Sequence, residues 1–498
     1  PNSEAYNNRK NQANKNKPAK GSKNNDEHSD KSDSDSEDKP EQNADIKKKV
    51  KGHGRLGVDA YAGADIIDVP LEHLKPGDDC PDTDCDGRLY EMSNSGILLR
   101  ITASPMANAT RYNLQKLRCN LCEIIYTAEK PAGVGDKKYD TSFVAMLMIN
   151  KYFMSVPFYR QENLQRYLGI PLPSSTQWEL MAGSEKTLAK LYDAFIDDAA
   201  QAKGISFDDT KARVLEQIAT DKKAAHKKDK KACYTTGFVS AHDDHLSYIF
   251  LTNNQTAGKD VSNILRRRDK NRPTPYLMCD ALSANIPEGI SKDLYILCYC
   301  LIHARRQFYE LPDGYDDLAD TVIRLIGKVY DNEDNTKSMT ADERLQYHKE
   351  HSDPVMLQLK AHLDEKAHAF EPNSVPGRAI DYVVKRWTEL SQFLRYKDVP
   401  IDTNIVERAL KLVIQVRKSS MFYKTLKSAK IASYIQTALY SAAQNDINPY
   451  EYMRIILSHA NAVEAQPNQW LPWTYQATLA ALDEGKARQA DDMVAGSP

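Results

Sequence analysis

Ile205-Ser-Phe-Asp-Asp-Thr-Lys-Ala-Arg-Val-Leu215 marks the point where the character of the chain changes. Up to about residue 203 apolar residues recur at helical spacing. From Gly204 the pattern reads as a strand that carries two adjacent carboxylates, Asp208 and Asp209. Beyond a Lys-rich loop (Lys222–Lys231), strands are predicted over Ala232–Ser240 and Leu246–Thr252, then a helix over Lys259–Arg268. Further strands are predicted over Tyr276–Asp280 and Tyr295–Leu301. Residues 303–395 read as wholly helical, and Asp402–Gln444 as two more helices. A β-rich stretch with one helical crossover, followed by helices, predicts an α+β core.

Upstream, Phe143, Met146, Leu147, Asn150 and Phe153 step along one helix. A second, Pro157–Leu168, ends at Gly169, and Pro171 and Pro173 make a turn. Ser174 or Ser175 is then placed to cap a third helix through Trp178, Leu180 and Met181. Helix, short turn, capped helix is the outline of a helix-turn-helix, and equally that of ordinary bundle packing.

Farther toward the N-terminus, Cys80 and Cys85 (x4 spacing) are separated by thirty-three residues from Cys119 and Cys122 (x2 spacing). Each pair suits a knuckle aiming two thiolates at one tetrahedral ion, with β-type segments at Gly96–Thr102 and Tyr112–Arg118 drawing the knuckles together. The reading is a zinc ribbon, with structural Zn2+ as its minimal role. Residues 1–50 are polar and blockily charged, with almost no large apolar side chain, and read as a disordered tail. That tail is either a solvated linker or a nonspecific DNA-binding arm ending in Lys51-Gly-His-Gly-Arg55. The chain starts with Pro rather than Met, so it reads as a processed or partial one.

Composition narrows the function classes. Across 498 residues, 67 Lys+Arg against 69 Asp+Glu leave a net charge of −2, so a globally basic nucleic-acid coat is excluded and any DNA surface is a local patch. No apolar run approaches the roughly 18 residues of a membrane helix. Nor does a secretory signal open the chain, so paired cysteines read as a metal site in a reducing cytoplasm rather than as bridges.

Asp208 and Asp280 stand at or beside the ends of apolar strands, where an unpaired carboxylate is costly unless a partner or cation compensates it. Glu407 falls in the first turn or so of a helix capped by Asp402 or Thr403. Three such carboxylates suit two hard cations about 3.5–4 Å apart, the arrangement used for in-line phosphoryl transfer. Acids at strand ends and helix N-termini are also ordinary turn and dipole residues. Spacing alone does not single these three out of 69 acids.

From Lys51 to Leu457 the chain resembles transposases of the bacterial insertion-sequence-66 family. The landmarks come in order: KLRCNLC (116–122), NKYFMSVPFYRQENLQRYLGIPLPSSTQWELM (150–181), DDTKARVL (208–215), LMCDALSAN (277–285), CLIHARRQFYEL (300–311) and IDTNIVERALKLVIQVRKSSMFY (401–423). The resemblance implies an Asp-Asp-Glu site on an RNase H-like fold, with Asp208 as first acid, Asp280 as second and Glu407 as third, holding two Mg2+ or Mn2+ ions. Asp209 is the neighbour with which Asp208 is most easily confused. His303, at C-x2-H spacing from Cys300, matches a position that contacts the scissile phosphate or orients a catalytic group; a satisfied core histidine is the alternative. Arg305, Arg306, Arg408, Arg417 and Lys418 are the cations expected near DNA phosphates.

The implied organisation is multidomain α+β. A disordered tail occupies 1–50, a zinc-ribbon-like domain 51–130 and a helical, helix-turn-helix-like DNA-binding region 131–203. The RNase H-like core takes 204–302 and 396–445, with a helical insertion at 303–395 and a C-terminal helical segment and tail at 446–498. Expected partners are the element's terminal inverted repeats and target DNA, a second copy of the chain, and helper proteins of the same element, in a cytoplasmic, nucleoid-associated setting with no membrane. Lys211 stands where the family usually has Pro, and Ala281-Leu282 where it usually has Gly-Tyr. A catalytically silent, transposase-derived DNA-binding protein is therefore the alternative, and a general RNase H-like nuclease a third reading.

Overall fold

A computed structural model describes residues 66–484, apart from 72, 83, 92–97, 100–105, 121–122, 124 and 224–231. The expectations for 1–50, for Lys51–Arg55, for Cys122 and for most of Gly96–Thr102 and of the Lys-rich loop lie outside the described residues. The chain falls into two compact units, residues 1–103 and 104–498.

In the first unit Cys80 and Cys85 occupy a hairpin-like tip. Asp79 bridges Arg88 in antiparallel fashion. Cys80 N donates to Gly87 O and Leu89 N to Asp78 O, each at 2.8 Å.

The second unit opens on a small antiparallel hairpin, β1 (Lys116–Arg118) and β2 (Ile125–Thr127), with Cys119 in its connection. Of the expected β segment Tyr112–Arg118, only the last three residues form a strand, because the ladder opposite ends at Thr127. Next come α1 (Thr141–Met148), continued by a π turn over Ile149–Phe153, then α2 (Phe158–Tyr167), α3 (Ser174–Ala182) and α4 (Glu185–Ala200). Gly169 at φ +75° turns the chain out of α2, a left-handed conformation that glycine adopts without steric cost. The cap of α3 differs from expectation. Neither Ser174 nor Ser175 serves; the carboxylate of Glu162 on α2 accepts from Ser174 N at 3.0 Å and from its hydroxyl at 2.6 Å. A cross-helix carboxylate both satisfies an orphan N–H and suits the helix dipole.

β3 (Gly204–Ala212) leads through α5 (Leu215–Lys223) to β4 (Cys233–Ala241) and β5 (Leu246–Asn253). α6 (Ala257–Leu265) then crosses to β6 (Tyr276–Cys279) and β7 (Ile296–Tyr299). These make one five-stranded sheet in the order β5-β4-β3-β6-β7. β3, β4 and β5 are antiparallel neighbours, whereas β6 runs parallel to β3 and β7 parallel to β6. The predicted continuation of β3 through Leu215 does not occur. Val214 instead bridges Tyr423, and Leu215 starts α5.

Helices follow: α7 (Leu301–Tyr309), α8 (Asp316–Asn335), α9 (Ala341–His351), α10 (Asp353–Ala367), α11 (Val375–Val384) and the single turn α12 (Trp387–Leu390). The chain then returns to the sheet as α13 (Asn404–Ser420) and α14 (Leu426–Gln444), followed by α15 (Pro449–Ser458), α16 (Ala460–Ala465) and further helix over residues 475–484. Arg344 of α9 is bidentate to Glu333 of α8 and donates to Val399 O at 3.0 Å, while buried His348 meets the same carboxylate at 2.6 Å. This network ties the helical stretch to the segment that enters α13.

The sheet is packed on both faces. Phe207, Phe238, Ile249, Leu277 and Cys298 join the main core with Phe195 of α4 and Ile435 and Leu439 of α14. Val239, Tyr248 and Phe250 face the other way, onto Val406, Leu410 and Val413 of α13. Each fully buried side chain of this size is worth about 1.5–3 kcal/mol.

The outer edge of β5 is closed by a polar row on α14. Ser433, Thr437 and Ser441 accept from the backbone N–H groups of Thr252, Phe250 and Tyr248 at 3.1, 3.0 and 3.0 Å, and Asn445 exchanges hydrogen bonds with Leu246. Ser433, Thr437 and Ser441 are fully buried, and the edge strand finds its partners in helix side chains rather than in a sixth strand.

Candidate active site

The parallel pairing of β3 with β6 runs from Gly204 opposite Tyr276 to Ser206 opposite Met278. Two residues farther along each strand stand Asp208 and Asp280. With a side-chain period of two, both project to the same face from adjacent strands. Asp280 directly follows the last residue of β6, as expected. Asp208 sits within β3 rather than at its end, because pairing with β4 continues to Ala212 after the parallel side has stopped. The two carboxylates thus share the C-terminal end of the parallel pairing, the position where open α/β sheets bind ligands.

Gly237 of β4 lies directly opposite Asp208. A β-carbon there would stand 3.0 Å from Leu410 Cδ2 and 3.4 Å from Val406 Cγ1. The missing side chain lets α13 approach the sheet and sets Glu407, next to Val406, near enough for its charge to act on Asp208, although the three carboxylates do not all come within 4.8 Å of one another. Glu407 lies in the first turn of α13, where a carboxylate suits the positive end of the helix.

The electrostatics record this crowding. Burial, reinforced by the charges of Asp280, Asp209 and Glu407, pushes the Asp208 carboxyl up to about 7, against the hydrogen bond it accepts from Asp209 N at 2.8 Å. Burial also raises Asp280, opposed by His303 and by donors from Leu282 N and the Asn285 side chain. Asp209 is raised by burial and by Asp280. Buried carboxylates raised in this way suit a hard divalent cation, which would reverse that penalty.

His303 is in the first turn of α7 and half-buried. Burial and the nearby Arg306 guanidinium lower its pKa, against the pull of Asp280, Glu407 and Asp402. Its Nδ1 is buried without a hydrogen-bond partner. The start of α7 is stitched to the approach to α13: Leu301 N donates to Ile401 O at 3.0 Å, and Thr403 Oγ1 donates to Cys300 Sγ at 3.4 Å. Thr403 is therefore spent on the thiol. Asp402 takes the capping role by accepting from Asn404 N at 2.9 Å.

Asp402 and Asn285 are the site residues that sequence reasoning left out. Asp402 is raised by burial and by Glu407, and faces His303 and the Tyr330 hydroxyl. The signal was present in IDTN (401–404), but an Asp there reads as a cap.

The expected cations are spread around this centre. Arg306 is exposed beside His303, and Arg305 is half-buried toward Tyr330. Arg408 is exposed on α13, near Asp402. Arg417 donates to Thr210 Oγ1 at 3.0 Å and to Lys211 O, linking the end of α13 to β3 just past the acids. Lys418 is exposed in the last turn. Beyond Arg417 a cavity of about 720 Å³ opens, with Lys151, Phe158, Trp178, Arg213 and Tyr423 among its walls. Cys80 and Cys85 belong to the first unit and Cys119 to the second. Among the described residues no helix is long and apolar enough to cross a membrane.

Comparison with known proteins places this geometry. The family described as "Transposase IS66 family" matches residues 137–431, a span holding all three acids and His303. The protein y4jD of Sinorhizobium fredii (strain NBRC 101917 / NGR234) is 24% identical over 409 residues, covering 79% of this chain and 78% of its own length. Protein y4hP of the same strain is 22% identical over 385 residues, covering 74% and 68%. Both carry the description "uncharacterized protein".

Proposed function

The chain belongs to the transposase IS66 family, and from that premise we propose that it cuts DNA at the ends of its own element and joins the freed ends to a target. The observation that carries the proposal is the meeting of three carboxylates from distant parts of the chain. Asp208 and Asp280 stand side by side past the Ser206–Met278 pair, and Glu407 comes in on the helix that Gly237 admits. The strand order, three antiparallel strands followed by two parallel ones on the far side of β3, supports an RNase H-like core.

Asp208, Asp280 and Glu407 would hold the Mg2+ or Mn2+ ions. Two such ions supply activation of the attacking oxygen, a water or a 3′-hydroxyl, and neutralisation of the leaving one. Asn285 and the Leu282 amide orient the Asp280 carboxylate through their hydrogen bonds. His303, whose charged form burial and Arg306 disfavour, would donate an N–H to an oxygen of the scissile phosphate. Arg305, Arg306, Arg408, Arg417 and Lys418 neutralise flanking phosphates, each adding salt-dependent affinity. No side-chain nucleophile is required.

DNA-end recognition falls to α2, the turn at 168–173 and α3. The α3 sequence, Ser-Ser-Thr-Gln-Trp-Glu-Leu-Met-Ala, has no cation, so phosphate contacts in this region come from Arg160 and Arg166 of α2. Cys80, Cys85, Cys119 and Cys122 are proposed as ligands of a structural Zn2+, and two DNA ends call for a dimer.

The test is cleavage of labelled DNA carrying the element's ends in Mg2+ or Mn2+, with binding measured separately. The proposal expects nicking by the wild type that is lost in Asp208→Asn, Asp280→Asn and Glu407→Gln while binding persists. Binding without nicking in either metal would establish the silent DNA-binding reading instead. Nicking without preference for the ends would establish a general nuclease.

A further inference from the structure

We propose that Asp198, His242 and His245 form a second metal site, for a zinc-class divalent cation, at the end of the sheet away from the acids. Asp198 lies in the last turn of α4, and the two histidines bound the tight connection His242-Asp-Asp-His245 between β4 and β5. Gly204 pairs with Ala241 at this end, and Asp208 is four residues along β3, about 13 Å away at the usual strand rise. The site is therefore independent of the catalytic proposal.

The hydrogen bond from His242 N to His245 O, 3.1 Å, closes the connection and sets both imidazoles on one side. Their rings stack at 4.1 Å with 11° between planes. Three donor atoms converge: Asp198 Oδ2 is 3.1 Å from His242 Nε2 and 3.4 Å from His245 Nε2. Ligand bonds of about 2.0–2.1 Å in a tetrahedral shell put neighbouring donors about 3.3 Å apart, so the spacing is that of ligands around an ion. Among the described residues this is the only group of three or more such side chains whose donors all lie within 4.8 Å.

Two further observations favour a cation over a simple hydrogen-bonded cluster. His242 Nε2 is buried and, despite its closeness to Asp198, is not aligned for a hydrogen bond with any group. His245 is held from behind: Asp244 meets its Nδ1 at 2.8 Å, which leaves Nε2 as the lone-pair atom, and Trp473 stacks on the ring at 3.9 Å. A carboxylate on the remote imidazole nitrogen is the usual support of a metal-bound histidine. One divalent ion would satisfy both rings and the carboxylate together. Imidazole donors select Zn2+, Co2+ or Ni2+ over Mg2+, and three protein ligands leave a position for water. The bound ion would clip the β4–β5 connection to the end of α4.

The experiment uses the full chain with Cys80, Cys85, Cys119 and Cys122 changed to Ser, which removes thiolate competition. Zn2+ is titrated calorimetrically in excess Mg2+, and Ni2+ quenching of tryptophan fluorescence is followed in parallel. The proposal expects one Zn2+ per chain, binding lost in His242→Ala and His245→Ala, and affinity about 10–100-fold weaker in Asp244→Asn, which keeps all three donors. It also expects Ni2+ quenching to disappear in Trp473→Phe. Absence of stoichiometric Zn2+ binding overturns the proposal, as does wild-type affinity in either histidine variant. Should an alanine variant fail to fold, unchanged affinity in Asp244→Asn overturns it as well.

Discussion

Gly237 lies beneath Leu410: a β-carbon on the glycine would come within 3.0 Å of the leucine Cδ2 and 3.1 Å of its Cγ. The glycine also faces Asp208 across the ladder, and Leu410 is one helical turn from Glu407. Gly237→Ala is expected to push α13 outward by a few tenths of an ångström. The cost in stability is about 1–3 kcal/mol for overpacking. Nicking should fall by more than that cost explains, because Glu407 moves with the helix. Chemical denaturation beside single-turnover cleavage separates the two effects.

With Asp208 raised to about 7, a cation entering the site displaces a proton. Apparent Mn2+ affinity is therefore expected to tighten by up to about tenfold per pH unit below 7, then level off above it. Thermal melting against Mn2+ at pH 6, 7 and 8 reads this directly. Saturation at about 100 Kd adds roughly 2.7 kcal/mol. Glu407→Gln should lose most of that gain and, in the cleavage assay, at least about 100-fold in rate.

Asp260, in the first turn of α6, is 2% exposed; its Oδ1 accepts from Asn253 Nδ2 at 2.9 Å and its Oδ2 has no partner. Burial raises its carboxyl to about 6. A folded-state value above the unfolded one favours the protonated fold, so its contribution is fully present below about pH 4 and is lost as pH rises through 6. Asp260→Asn is expected to stabilise the protein at pH 8 by about 1–3 kcal/mol and to leave it nearly unchanged at pH 4. Urea midpoints at the two pH values check this.

Thr437→Val keeps shape but removes the acceptor for Phe250 N. The orphaned buried N–H should cost about 1–3 kcal/mol, whereas a Thr→Val change on a solvent-facing helix position would cost far less. Hydrogen exchange at Phe250 should quicken before global unfolding does.

Much of the architecture was legible because it is written in local periodicity. All five sheet strands and the helices at 404–444 lie where alternation and helical spacing put them. The family assignment came from ordered landmarks, and those landmarks also picked out Asp208, Asp280 and Glu407. What escaped was supplied across the fold. Glu162 caps α3 from another helix, and Thr403 turns from its own helix to Cys300, 103 residues away in sequence. The His242/His245 pair reads as a polar turn until Asp198, 44 residues earlier, is brought against it. Asp402 and Asn285 were hidden for the same reason, since a cap and a turn amide become site residues only through their neighbours.

The row of Ser433, Thr437, Ser441 and Asn445 advances one helical turn at a time, about 6.0 Å per step, against about 6.8 Å for two residues of strand. The two rulers differ by less than 1 Å per rung, so four rungs engage without a break, and a one-residue slip of β5 would unmake all of them. β4 takes its alignment from β5, and β3 takes its alignment from β4. α14 thus works as a gauge block two strands from the acids: its polar row holds β5 and, through β4, adds to the β3–β6 pairing in keeping Asp208 on the same face as Asp280.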